Sequence, residues 1–285
     1  MSLDEATPRG WPEPYGAQAR PRMGFFTDTS VCIGCKACEV ACKEWNGLPA
    51  DELGFTGQSY DNTGRLSAST WRHVAFIEQA APAPAPPPPV PEEGPREGLR
   101  WLMSSDVCKH CTVAPCLDVC PTGALFRTEF GTVVVQDDVC NGCGMCVPAC
   151  PFGVIERSEE DGRAGKCTLC YDRLKDGMEP ACAKACPTDS IQFGELEDLR
   201  AVAAERLEVV HAAGEAGARL YLESPADGMR GGGSFFLLLD EPEVYGLPPD
   251  PVASTRRLGE IWGAVGGAAA AIAVGVAATL VRGRR

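Results

Sequence analysis

Thiols dominate the chemistry this sequence can do, and their spacing is regular. The stretch VCIGCKACEVACKEWNG, residues 31–47, sets Cys32, Cys35 and Cys38 two residues apart and leaves three residues before Cys42. A second group holds Cys108, Cys111, Cys116 and Cys120. A third holds Cys140, Cys143, Cys146 and Cys150, and a fourth Cys167, Cys170, Cys182 and Cys186. Every group opens with C-x2-C and closes with C-x3-C. Thiolates at such gaps can wrap one corner of a metal centre. A zinc half-site needs a single C-x2-C pair, so the C-x2-C-x2-C of groups one and three overfills it and suits three irons of a cubane. Those two groups reproduce the bacterial run whose fourth cysteine ligates the other cluster. Cys42 breaks the rhythm because it serves a different cluster from its three predecessors. The 16 cysteines divide into four [4Fe–4S] clusters with none left over. A disulfide framework belongs to short secreted domains, not to 285 residues without a secretory leader.

Spacing also bears on which groups exchange their fourth ligand. Groups two and three are joined by one short hairpin and are expected to exchange, which leaves one with four. The other arrangement, one with two and three with four, is disfavoured by the long gap between groups one and two but stays open by length.

The elements that must position these thiols can be read around them. Proline follows the last cysteine of groups two, three and four, at Pro121, Pro151 and Pro187. It biases the residue before it toward an extended conformation, so the chain should leave each site as a strand. Lys43 stands there in group one, so its helix can continue through KEWNG. ALFRTEFGTVVVQ (124–136) reads as a β-hairpin with Gly131 near the turn. Residues 194–214 place Leu196, Leu199, Ala203, Leu207 and Val210 at helical spacing before Gly214, and SFFLLLD (234–240) reads as a buried strand. Gly34, Gly142 and Gly144 lie between ligands where positive φ would aim backbone N–H groups at sulfur. Groups two and four lack such glycines, which predicts different hydrogen bonding there.

These readings give an α+β fold: two ferredoxin-like dicluster halves related by pseudo-symmetry, plus a C-terminal membrane helix. Residues 1–22 form an N-terminal arm. Residues 23–80 with 154–195 make the first half, 81–95 a Pro-rich linker and 96–153 the second half. Residues 196–257 extend the fold with a helix and a strand, and 258–282 form the anchor. Residues 261–281 carry no charge and are long enough to cross a bilayer, which needs about 20 residues. A buried Ala-rich helix is the competing reading. Arg256 and Arg257 before the run, with Arg282, Arg284 and Arg285 after it, favour the anchor. Their balance suggests a cytoplasmic end and an outward-facing cluster domain, exported on a partner's signal. Gly263 and Gly267 form a GxxxG that would let another helix approach.

The formal net charge of −13 argues against nucleic acid, whose phosphates need a basic face. No nucleophile, acid–base pair or phosphate loop appears, so no catalytic residue is assigned. Of the three histidines, His110 sits inside C-K-H-C and is expected to face solvent, with tuning of a cluster as its alternative. His73 and His211 have no metal partner in sequence. Trp45 and Trp71 are expected at the core or an interface.

CIGCKAC with EWN (32–46), GVIER after Cys150-Pro151, KCTLCYDR (166–173), EPACAKACPT (179–188) and YGLPPDP (245–251) together resemble one family. It is the four-cluster electron-transfer subunits that partner molybdopterin oxidoreductases, and most of all the iron–sulfur (beta) subunits of membrane-bound respiratory formate dehydrogenases. The resemblance spans roughly residues 24–282, and the proline tract and N-terminal arm depart from it. It implies four ligand sets. The first is Cys32, Cys35 and Cys38 with Cys186, and the second Cys108, Cys111 and Cys116 with Cys150. The third is Cys140, Cys143 and Cys146 with Cys120, and the fourth Cys167, Cys170 and Cys182 with Cys42. It further implies electrons passing from a molybdenum or tungsten catalytic subunit, near sets one and four, through sets two and three to a cytochrome b subunit that reduces quinone. Sister enzymes acting on nitrate, polysulfide, dimethyl sulfoxide or hydrogen use equivalent subunits. A free polyferredoxin shuttle is the other class, and a membrane anchor argues against it.

Overall fold

The computed structural model describes residues 13–50, 54, 57, 60–80, 99–256 and 258–282. The proline tract, the first twelve residues of the arm, Arg257, Arg284 and Arg285 lie outside them.

A four-stranded sheet carries the main core. β1 (Met23–Asp28) sits inside it, antiparallel to β8 (Ile191–Glu195) and parallel to β10 (Ser234–Leu238), with β9 (Arg219–Tyr221) beyond. Every residue of β10 is buried, as expected for an apolar run in the interior of a sheet covered on both faces. Phe25, Phe26, Phe235 and Phe236 are fully excluded from solvent, and Phe26 stacks on Phe235 at 5.4 Å. Each such ring stabilises the fold by about 1.5–3 kcal/mol relative to exposure. α6 (Leu196–Ala212) follows β8 directly and buries Leu196, Leu199, Ala203 and Val210. The spacing of apolar residues in 194–214 had marked that face.

The sites hang on shorter elements. β2 (Arg72–Ala80) and β3 (Leu99–Val107) form a long antiparallel ladder in register Arg72↔Val107 to Ala80↔Leu99, so the proline tract joins the two arms of a hairpin. The pair unites stretches that the domain boundaries expected from sequence apportion to different halves. β4 (Leu125–Arg127) and β5 (Val133–Val135) form the hairpin expected between groups two and three, with Gly131 at φ 72° in its turn. β6 (Glu156–Arg157) and β7 (Ala164–Gly165) make a short second hairpin leading into group four.

One more helix, α7 (Leu258–Arg282), leaves this assembly. Its stretch Gly259–Ala277 is long and apolar enough to cross a membrane, with mean hydropathy 1.6, and none of it is buried against the rest of the protein.

Candidate iron–sulfur cluster sites

Each cysteine group is a loop running into a helical turn. Cys32 and Cys35 lie on the loop before α1 (Ala37–Asn46), and Cys38 and Cys42 lie one turn apart on that helix. The helix runs through Glu44, Trp45 and Asn46 and stops at Gly47, as the missing proline predicts. α2 (Pro115–Asp118) carries Cys116, and α3 (Cys146–Ala149) begins with Cys146. Cys150, ahead of Pro151, is extended at φ −82°, ψ 113°. Cys170 caps α4 (Tyr171–Lys175), and α5 (Ala181–Lys184) holds Cys182.

The second residue of each opening C-x2-C gap has positive φ: Gly34 at 64°, His110 at 43°, Gly142 at 70° and Leu169 at 58°. The four turns therefore share one backbone conformation. Where glycine is missing, His110 and Leu169 accept the left-handed conformation because tertiary packing holds them there; in the next gap only groups one and three carry a left-handed residue directly after the cysteine, Lys36 at 60° and Gly144 at 73°. His110 and Leu169 are buried, at 1% and 0% exposure. At Gly142 a side chain is barred twice over, since a Cβ would stand 2.7 Å from the Gly162 carbonyl oxygen.

Two cavities gather thiols from distant groups. Cys32, Cys35, Cys38 and Cys186 line the first, together with Lys36, Ser105 and Thr188. Cys120, Cys140, Cys143 and Cys146 line the second, together with Thr122 and Asn141. The remaining eight thiols fall into two further neighbourhoods. Cys111 feels Cys108, Cys116 and Cys150, and Cys42 feels Cys182 and Cys170, while Cys167 feels Cys42 and Cys182. Among the described residues no three His, Cys, Asp or Glu side chains converge as a single-ion site requires. Four thiols spread around a cavity are instead the donor set a cubane takes.

Burial governs the thiols. It pushes Cys42 and Cys116 up to about 12, and Cys38, Cys146 and Cys170 up to about 11. Neighbouring thiols reinforce the rise at Cys42 and Cys146. Such groups ionise at neutral pH only when a metal takes the proton's place. Cys120 runs the other way. Burial raises it, but N–H groups of Leu125, Thr122 and Ala124 and the Thr122 hydroxyl outweigh that and lower its pKa.

Several residues at these sites escaped sequence reasoning. Thr122 Oγ1 lies 3.7 Å from Cys120 Sγ, and Thr188 Oγ1 lies 3.8 Å from Cys186 Sγ. The repeated C-P-T at 120–122 and 186–188 was the available signal. Arg72, Lys109, Arg127 and Lys166 are all buried charges. Lys166 Nζ donates to the carbonyl oxygens of Val133 and Cys167, and Arg127 Nη2 to those of Cys111 and Thr112. His110 is buried, which corrects the expectation of solvent. Its Nδ1 accepts from Val133 N at 3.1 Å, which leaves Nε2 carrying the proton, buried and without a partner among the described residues. His73 bonds Asp61 and His211 bonds the Ala218 carbonyl, and neither lines a thiol cavity. Trp71 packs on the core edge; Trp45 is 43% exposed.

Two 4Fe-4S dicluster domain models match the protein, one over residues 31–124 and the other over 99–196. Fold and thiol sites together define a ferredoxin-like dicluster iron–sulfur protein. The formate dehydrogenase iron-sulfur subunit of Haemophilus influenzae is 39% identical over 244 residues, which is 84% of this protein and 73% of that one. The nitrate-inducible formate dehydrogenase iron-sulfur subunit of Escherichia coli is 39% identical over 240 residues, 83% of this protein and 76% of that one. A subunit of the anaerobic dimethyl sulfoxide reductase of Escherichia coli is 34% identical over 182 residues, covering 63% of this protein and 76% of that subunit. This protein belongs to the family of formate dehydrogenase iron–sulfur subunits. Such a subunit transfers electrons within an oxidoreductase and is not its catalytic component.

Proposed function

We propose that this protein relays electrons through four [4Fe–4S] clusters in a membrane-bound respiratory formate dehydrogenase. In this reading it takes them from a molybdenum or tungsten catalytic subunit and delivers them to a cytochrome b partner that reduces quinone. Each cluster, when bound, supplies one-electron redox chemistry. Cys32, Cys35, Cys38 and Cys186 hold one, and Cys42, Cys167, Cys170 and Cys182 its neighbour. Cys108, Cys111, Cys116 and Cys150 hold the third, and Cys120, Cys140, Cys143 and Cys146 the last.

One observation carries the reading: thiols from distant groups line two separate cavities, and thiols of successive sets lie near enough to influence one another. Cys38 feels Cys182, Cys167 feels Cys108, and Cys116 feels Cys146. Exposure fits a row of sets. Cys35 and Cys143, from its two ends, are the exposed cysteines among the sixteen. Apolar residues accompany both: Ile33 is 58% exposed beside Cys35, and Met145 54% exposed beside Cys143. Each end thus exposes an apolar side chain to a partner close to an exposed ligand.

Direction has support of its own. Thr255, just before α7, donates its hydroxyl to Asp118 at 2.6 Å, on α2 between Cys116 and Cys120. The apolar helix thereby springs from beside the second pair, which suits delivery into the membrane from that pair and entry of electrons at Cys35. α7 serves as a single-pass anchor, and the arginines on its far side favour clusters on the outer face.

The test is anaerobic purification of the membrane complex, followed by formate addition with the clusters read by electron paramagnetic resonance. Reduction supports the proposal, and an inert response moves the protein to a sister oxidoreductase. Recovery of the full-length protein in a detergent-free soluble fraction would favour the free shuttle.

A further inference from the structure

Arg72 is fully buried, at 1% exposure, on the inward face of β2. Its Nη1 donates to Ser105 Oγ at 3.0 Å and to the Ser105 carbonyl at 3.3 Å across the β2–β3 ladder. Ser105 Oγ in turn lies 3.3 Å from Cys38 Sγ. The guanidinium carbon stands 4.8 Å from the Phe25 ring centroid. Nε and Nη2 are buried and have no hydrogen-bond partner among the described residues. Among the described residues no carboxylate forms an ion pair with Arg72, whereas Lys109, just as buried, has Asp106. The ionisable neighbours that act most strongly on Arg72 are thiols: Cys182, Cys38, Cys167 and Cys42.

A guanidinium stays charged inside a protein, and an unpaired buried charge is strongly disfavoured. Two guanidinium nitrogens, with three N–H bonds between them and no acceptors, add to that cost. Both penalties vanish if the missing acceptors and counter-charge are the sulfurs and negative charge of clusters held by those four cysteines. A cation placed there favours the reduced form, which carries one more negative charge, over the oxidised form.

We infer that Arg72 is the potential-setting residue of the first cluster pair, donating from Nε and Nη2 to cluster sulfur and raising the reduction potentials of the two clusters that share Cys38, Cys42, Cys167 and Cys182. The inference rests on the ligand sets proposed above. Arg72 acts as a positioning charge and takes no part in catalysis.

The experiment is a redox titration of the intact complex with each cluster followed by electron paramagnetic resonance, in wild type, R72M and R72K, with iron counted in each. R72M should shift the oxidised-to-reduced equilibrium of the first pair at least tenfold toward oxidised, which for a one-electron couple is about 59 mV downward. The second pair should stay in place, and R72K should recover most of the shift. Unmoved potentials in a fully loaded R72M, or an equal movement of all four clusters, would overturn the inference while leaving the ligand sets standing. If R72M loses iron, R72K decides. Full loading with potentials near wild type supports the inference. Loss of iron there too refutes it, because the site would then need the shape of arginine and not its charge. A wild-type complex holding fewer than four clusters would sink the ligand sets and this inference with them.

Discussion

The indole N–H of Trp45 donates to Asp172 at 2.8 Å across 127 residues of sequence, and the Arg173 guanidinium lies 4.2 Å from the same ring's centroid. The contact pins the last turn of α1 to the first turn of α4, so groups one and four are held together outside the thiols themselves. W45F removes the hydrogen bond and keeps a ring for Arg173. At a half-exposed site the expected loss is about 1 kcal/mol, or roughly fivefold faster thermal bleaching of the cluster absorbance. The resonance signals of the first pair should fade before those of the second. Simultaneous fading of both pairs would count against this role.

Cys42→Ser separates exchange of ligands from self-contained groups. With exchange, the serine variant damages the cluster of Cys167, Cys170 and Cys182 and spares that of Cys32, Cys35 and Cys38, with one cluster's worth of iron missing. Equal damage to both signals, or damage confined to the Cys32 group, contradicts exchange.

Gly142→Ala should empty the last site. The left-handed conformation alone costs a non-glycine residue about 1–2 kcal/mol, and the new Cβ also meets the Gly162 carbonyl at 2.7 Å. Gly153→Ala is the control: its φ is 62°, but nothing stands within 4 Å of a Cβ. G142A is expected to lose the iron of Cys120, Cys140, Cys143 and Cys146, while G153A retains it. Equal retention by both would remove the close-approach argument.

Stripped of iron, the protein should be weakened by alkali. An unfolded cysteine releases its proton near 9.0, whereas folded Cys42 and Cys116 hold theirs to about 12 and Cys38 to about 11. A folded pKa above the unfolded one gives stability that is complete below about 9 and is lost as pH climbs through 11 to 12. The urea midpoint of the iron-free protein, followed by circular dichroism, should therefore fall across that window. A flat midpoint would show that the thiols are not buried as described.

Much of this was legible because spacing is itself geometry. The C-x2-C gaps and the unbroken KEWNG marked the loops and the length of α1, whereas after each proline a turn comes first and the strand begins only four or five residues beyond it. The hairpin at 124–136 and the α6 stripe followed from periodicity. His110 was misjudged because nothing local records that β5 would cover it. Arg72 was missed although it sits in phase with Val74 and Phe76 on one face of β2, since a charge on an inward face reads as an interruption until its neighbours are known. β3 was invisible because its partner lies beyond the proline tract, and pairing is a property of two segments.

The central sheet sets a timetable for assembly. β1 is made within the first thirty residues, yet its neighbours β8 and β10 end at Glu195 and Leu238. A ribosome adding about 5–20 residues per second leaves that phenylalanine-bearing strand without either neighbour for roughly ten seconds or longer. Groups two and three lie close together in the sequence, so the middle of the molecule can close while its beginning still waits. The N-terminal cysteines likewise wait for their distant partners: the sets proposed for groups one and four are complete only once Cys186 has been made.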